Sequence, residues 1–178
     1  MSGPDAAGSA PGGASAPRTP TPAEDDAFLA EAISLAREHM LAGDGGPFGA
    51  LVVRDGQVIA RGWNRVTSTN DPTAHAEVVA IRAACATLDS FELHGCTVYT
   101  SCEPCPMCLA TCYWARVARI VYAATRDQAA AAGFSDALIY DEIPKAPDAR
   151  QLPMERRLAD ASDGPFAAWA QKADRVTY

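Results

Sequence analysis

An α/β fold with a mixed sheet covered on both faces is what this chain predicts. Three observations lead there. Strand-like runs alternate with helix-like runs after an opening hairpin. The central strands read as unbroken apolar stretches, as strands buried on two sides do. And 48% of the 178 residues are hydrophobic, enough for one domain with a proper core.

Residues 1–22, MSGPDAAGSAPGGASAPRTPTP, are rich in Ala, Gly, Pro and Ser, with one acid and one base. They cannot bury enough apolar surface to offset ordering, so a disordered tail without a catalytic role is expected there, and a domain over 23–178. The first helix, AEDDAFLAEAISLAREHMLAG, has acids in its first turn, apolar positions at Phe28, Leu29, Ala32, Ile33, Leu35 and Ala36, and Gly43 as a stop. GALVVRDGQVIARGWN (49–64) is a hairpin turning at Asp55-Gly56. A helix follows over Thr73–Leu88, then a buried strand over Cys96–Ser101 that runs into a cysteine-bearing helix. Ala118–Thr125 is another apolar strand, and Arg126–Gly133 a short helix ended by glycine. FSDALIYDEI (134–143) reads equally as loop or short helix. RQLPMERRL (150–158) fits a last edge strand, where Pro153 is tolerable. GPFAAWAQKADR (164–175) is a C-terminal helix with Pro165 near its first turn.

Charge and cysteine usage narrow the function. The net charge is −7, against a protein built mainly to grip phosphate backbones, so a nucleic-acid partner is not expected. No run is apolar and long enough to span a membrane, and the N-terminus lacks a secretion signal pattern; a cytoplasmic protein is expected. Cys102, Cys105, Cys108 and Cys112 crowd into eleven residues. In such a setting they read as metal or redox chemistry rather than disulfides.

Cys105 precedes Pro106 and is thereby biased away from helical dihedrals, while proline suits a first helical position. Cys105 is then an N-cap and Cys108 the third helical residue, on one side of the helix start. Both sulfurs sit in the positive end of the helix dipole, which favours thiolates. Two thiolates at this spacing suit tetrahedral zinc. Of His39, His75 and His94, only His75 stands beside a carboxylate at a helix start; the other two read as solvent-facing without partners. His75, Cys105 and Cys108 are therefore the expected Zn2+ ligands, with the fourth position left to water, and Glu77 is the expected proton carrier. A redox CxxC, or a structural zinc completed by Cys102 or Cys112, remains an alternative; Cys112 reads better as core, and Cys85 and Cys96 as packing residues.

HAE at 75–77 followed by PCPMC at 104–108 resembles the H-x-E…P-C-x-x-C signature of the cytidine deaminase-like zinc-dependent deaminases. The resemblance implies a three-layer α/β/α sandwich with a five-stranded mixed sheet, both helix starts meeting at the zinc, and hydrolytic loss of ammonia from an amine-bearing ring carbon. GGPFGALVV, NDPTAHAEVVAIR, TSCEPCPMCLATCYWAR, GFSDALIYDEI and a terminal aromatic after PFAAW are together similar to bacterial guanine deaminases, over about residues 25–178. That similarity implies a small purine base as substrate, a homodimer, Asp136 and Glu142 as acids facing the substrate's amine and N–H groups, Asn64 reading the purine edge, Phe48 and Trp114 as aromatic walls, and Tyr178 closing the site. Part of the pattern is shared with tRNA adenosine deaminases. So tRNA adenosine, guanosine, cytosine or an aminotriazine such as ammeline are alternative substrates, and a non-catalytic zinc module is an alternative of another class.

Overall fold

The computed structural model describes residues 18–177. Most of the segment expected to be a tail, and Tyr178, lie outside them. Helix α1 spans Pro22–Ala42, one residue earlier than the sequence suggests, because Thr21 and Glu24 form a capping box ahead of Pro22. Gly43, at φ 81°, closes its other end. Arg18, just before it, bonds the Glu24 carboxylate, and its backbone N–H donates to Asp55.

Strands β1 (Gly49–Arg54) and β2 (Gln57–Trp63) form the expected hairpin, with Asp55 and Gly56 both at positive φ in its tight turn. The one-turn α2 (Val66–Thr69) and α3 (Ala76–Leu88) follow, then β3 (Cys96–Cys102), α4 (Pro106–Trp114), β4 (Arg119–Ala124), α5 (Arg126–Ala131), α6 (Ala137–Glu142) and α7 (Gly164–Gln171). The segment left open between loop and helix thus contains α6.

The sheet has four strands in the order β2-β1-β3-β4, with β3 and β4 parallel and the other pairs antiparallel. This corrects the expected five. Residues 150–158 form no strand: the stretch is almost wholly exposed, Pro153 offers no N–H to a ladder, and the Arg150 guanidinium donates to the carbonyls of Lys145 and Ile143.

Alternation along β1 divides the core. Ala50 and Val52 face α3 and α4, meeting Ala76, Ala80, Ile81, Ala84 and Cys112. Leu51 and Val53 face α1, with Ala32, Phe28 and the buried Tyr99. Gly62 is where α3 comes closest to the sheet. A Cβ there would lie 2.3 Å from the Ala76 carbonyl oxygen and 2.5 Å from the Ala80 nitrogen, so only glycine lets the start of α3 lie flat on β2. On the α1 side, Asp25 receives both the Arg119 guanidinium and the Tyr99 hydroxyl, tying the start of α1 to β3 and β4. Ile33, expected inward, is half exposed on the outer side of α1. Among the described residues no helix is long and apolar enough to cross a membrane.

Candidate active site

Two helix starts meet at one end of the sheet. His75 is the N-cap of α3, extended at φ −69° and ψ 155°, and Cys105 is the N-cap of α4, at φ −63° and ψ 167°. Neither spends its side chain on capping its own helix. Each is therefore free to point across the gap. Asp71 prepares the first start: its carboxylate accepts from the Thr73 N–H and hydroxyl, and its carbonyl from the Ala74 N–H. The fully buried β3 delivers the second.

The His75 Nδ1 lies 3.6 Å from the Cys105 sulfur and 3.5 Å from the Cys108 sulfur. A tetrahedral zinc with Zn–S of about 2.3 Å and Zn–N of about 2.0 Å sets that sulfur–nitrogen edge at about 3.5 Å. The donor set also has the right chemistry, two thiols and an imidazole whose ligand atoms all lie within 4.8 Å of one another. The Cys105 thiol is held down to about 4, chiefly by the S–H that Cys108 donates to it, with His75 adding and burial opposing. Cys108 is pushed up by that same shared proton, and by burial. His75 is raised by its bond to Cys105. Glu77, the second residue of α3, is buried, and desolvation lifts its carboxyl above the usual range. The Cys108 sulfur lies 3.3 Å from its Oε2. A carboxyl whose proton affinity is raised, placed beside a metal triad, can take up and return a proton.

A cavity of about 340 Å³ opens over this cluster, lined by His75, Glu77 and Cys105 on one side. Asn64, Phe48 and Asp136 line it as well. Asn64 is buried, and its Oδ1 accepts from the backbone N–H of Gly46 (3.1 Å) and of Val66 (3.2 Å). Both acceptor directions of that oxygen are taken, so the amide turns its NH2 to the cavity as a donor. The sequence reading allowed it both roles.

Residues 22–124 match the family model described as the cytidine and deoxycytidylate deaminase zinc-binding region. The chain belongs to this deaminase family. It is 50% identical over 153 residues to the guanine deaminase of Bacillus subtilis (strain 168), covering 86% of this chain and 98% of that one. The X-ray structure of the Bacillus subtilis enzyme superposes with a TM-score of 0.84 over the same shares. A solved guanine deaminase from Nitrosomonas europaea is 36% identical, with 68% of this chain and 69% of that chain covered and a TM-score of 0.60. The tRNA-specific adenosine deaminase of Agrobacterium fabrum is 49% identical over 78 residues, 44% of this chain and 51% of its own length. The deaminase's metal is zinc, and His75, Cys105 and Cys108 are positioned to hold it.

Not every expected residue reaches the deaminase pocket of its own chain. Trp114 does not: it stands nine residues beyond Cys105, about 13 Å down α4, exposed, over a separate shallow depression with Ala110, Tyr113 and Arg116. Glu142 also lies outside the lining. It sits at the far end of α6, bonded to the Lys145 ammonium and the Gln151 N–H, which hold its carboxyl below the usual range. Tyr178 is beyond the described residues. His39, read as partnerless, in fact bonds Asp44 and stacks on Trp63. In the place expected of Trp114 the pocket has Phe134, whose ring meets Phe48 edge-on at 5.1 Å and 89°. Phe134, Ser135 and Ile139 join Asp136 as lining. All three lie in the GFSDALIYDEI stretch that supplies Asp136. Glu103 and Arg126 complete the rim.

Proposed function

We propose that this protein is a guanine deaminase, converting guanine and water to xanthine and ammonia. The observation that carries the substrate is the pairing, inside one aromatic-walled cavity, of an amide fixed as donor (Asn64) with a carboxylate acceptor (Asp136). Guanine offers ring acceptors to the first and N–H donors to the second, and a buried donor or acceptor left unmatched is costly. Similarity along nearly the whole length of a guanine deaminase supports the same substrate.

Zinc, when bound, supplies a water activated for attack at neutral pH. The chain does the rest. Phe48 and Phe134, packed edge-on against each other, form one apolar wall for the base, with C2 turned toward the metal side. Glu77 takes one proton from the water and delivers it to ring N3, then takes the second from the hydroxyl now on C2 and hands it to the amine, which leaves as ammonia while N3 keeps its proton. Its burial keeps bulk water from short-circuiting these transfers. Glu142 has no part in this scheme. A tRNA substrate is disfavoured by the cavity lining, where among the described residues Arg126 is accompanied by the acids Glu77, Glu103 and Asp136 and by no cluster of basic side chains.

A homodimer belongs to the same proposal. Tyr113 and Trp114 are exposed on α4, and residues 150–177 expose Leu152, Met154, Leu158, Phe166, Trp169 and Val176. That is more apolar surface than a lone subunit usually shows to water. Light scattering at micromolar protein is expected to give twice the chain mass, and a single-chain mass would sink the dimer. For the activity, zinc-loaded protein is offered guanine, guanosine, adenine, cytosine and ammeline separately, with ammonia and product quantified. Xanthine from guanine, with adenine and cytosine untouched, is expected. A silent free-base panel alongside inosine formation in tRNA would overturn the reading.

A further inference from the structure

We propose that His39, Asp44 and Trp63 form a positioning brace that holds the Asn64 amide and the Gly45–Phe48 loop in place for the purine. The inference rests on the guanine reading above and deepens it.

The argument starts in β2. Side chains alternate along a strand: Gly62 faces α3, Trp63 faces α1, and Asn64 returns to the cavity side. Holding Trp63 thus sets the residue that follows it. What holds it is the last turn of α1. The His39 ring stacks on Trp63 at 3.6 Å with the planes 2° apart. His39 Nδ1 lies 2.6 Å from Asp44 Oδ2, and the Asp44 N–H donates to the His39 carbonyl.

Asp44 opens the loop that supplies Gly46 and Phe48 to the cavity. That loop must press against Asn64. A Cβ on Gly45 would lie 2.2 Å from the Asn64 carbonyl oxygen, so glycine is required. With Gly43, Gly45 and Gly46 in four residues, the loop has little stiffness of its own. The Gly46 N–H to Asn64 Oδ1 bond, the Asn64 N–H to Phe48 carbonyl bond and the His39–Asp44 pair together make one closed ring, loop to α1 to Trp63 to Asn64 and back to the loop. His39 and Asp44 do not line the cavity. They act on the substrate only through Asn64 and Phe48.

The test is a double-mutant cycle in the full zinc-loaded enzyme, reading kcat and KM for guanine together with the affinity for xanthine, so that it can be read even where turnover is slow. His39→Ala is expected to lower kcat/KM roughly 10- to 100-fold, mostly through KM, with zinc content unchanged. Asp44→Asn keeps an acceptor for His39 and is expected to stay within about twofold of the parent. In an Asn64→Ala background, His39→Ala is expected to cost less than about twofold. The same factor in both backgrounds, or an unchanged KM and xanthine affinity, overturns the brace. If His39→Ala does not fold, Asp44→Ala, at a partly exposed site, carries the same cycle. Failure of the parent enzyme to turn over guanine would instead overturn the substrate reading, so the two failures are distinct.

Discussion

The two walls of the cavity are built differently. The wall that carries His75, Glu77, Cys105 and Cys108 consists of the starts of α3 and α4, both packed on the sheet with buried residues at almost every inward position. The wall that carries Phe134, Asp136 and Ile139 is a short turn and the six-residue α6, which has no buried residue. The first wall holds atoms at fixed distances, as metal chemistry demands. The second has few ties to the core and can be rebuilt without disturbing the sheet. On the proposed function, reaction type and substrate choice are set by separate pieces of chain.

If so, substitutions on the two walls should fail in different ways. The largest effect is expected from Glu77→Gln, which keeps shape and burial but cannot shuttle a proton: kcat is expected to fall by about 10²–10⁴ with zinc content, by metal analysis, unchanged. Asp136→Asn on the other wall removes a charged acceptor. It is expected to raise KM for guanine by roughly 10- to 100-fold, matching the 1.5–3 kcal/mol of a charged hydrogen bond, while thermal stability and zinc stay put. Loss of zinc in that variant would erase the division between the walls. Gly62→Ala sharpens it from below. Its methyl group would meet the Ala76 and Ala80 backbone, so a stability loss of about 1–3 kcal/mol is expected, read by calorimetry, together with weaker zinc binding, because Ala76 lies between His75 and Glu77. The smallest effect concerns a tie remote from both walls. Asp25 is held below the usual carboxylate range, first by the Arg119 guanidinium and also by the Tyr99 hydroxyl. Its stabilisation is therefore full above the unfolded value, about 3.9, and is lost as pH falls through the lower folded value. The melting temperature of Asp25→Asn is expected to fall less steeply than the parent's over that acid window.

How much of this the sequence carried follows the same division. His75, Cys105 and Cys108 were legible because helix-start chemistry is local: a proline after Cys105 and a histidine before an apolar run settle the backbone within a few residues. Glu77 followed from its distance to His75. Asp136, Asn64 and Phe48 reach the cavity as the resemblance implied. Sequence and structure differ where chain distance or pattern misleads. Trp114 shares a helix with the cysteines, but α4 carries it away from its own chain's cavity. The stretch around Pro153 looked like an edge strand although nothing in it favours pairing over solvent. His39 looked idle because its partners, Asp44 and Trp63, are joined to it only after α1 packs on the hairpin. No periodicity reports such a contact.

The spacing of the donor atoms has a consequence for how the chain comes to its final form. His75 and Cys105 are separated by a complete helix and a complete strand, so an unfolded chain does not bring His75 to the two thiols. Only a chain that has laid α3 and α4 side by side on the sheet offers the ion His75 together with Cys105 and Cys108. Zinc bound to all three donors would favour folded molecules by mass action. A chelator should then lower the melting temperature by an amount that depends on free zinc, although every other contact in the molecule is left intact.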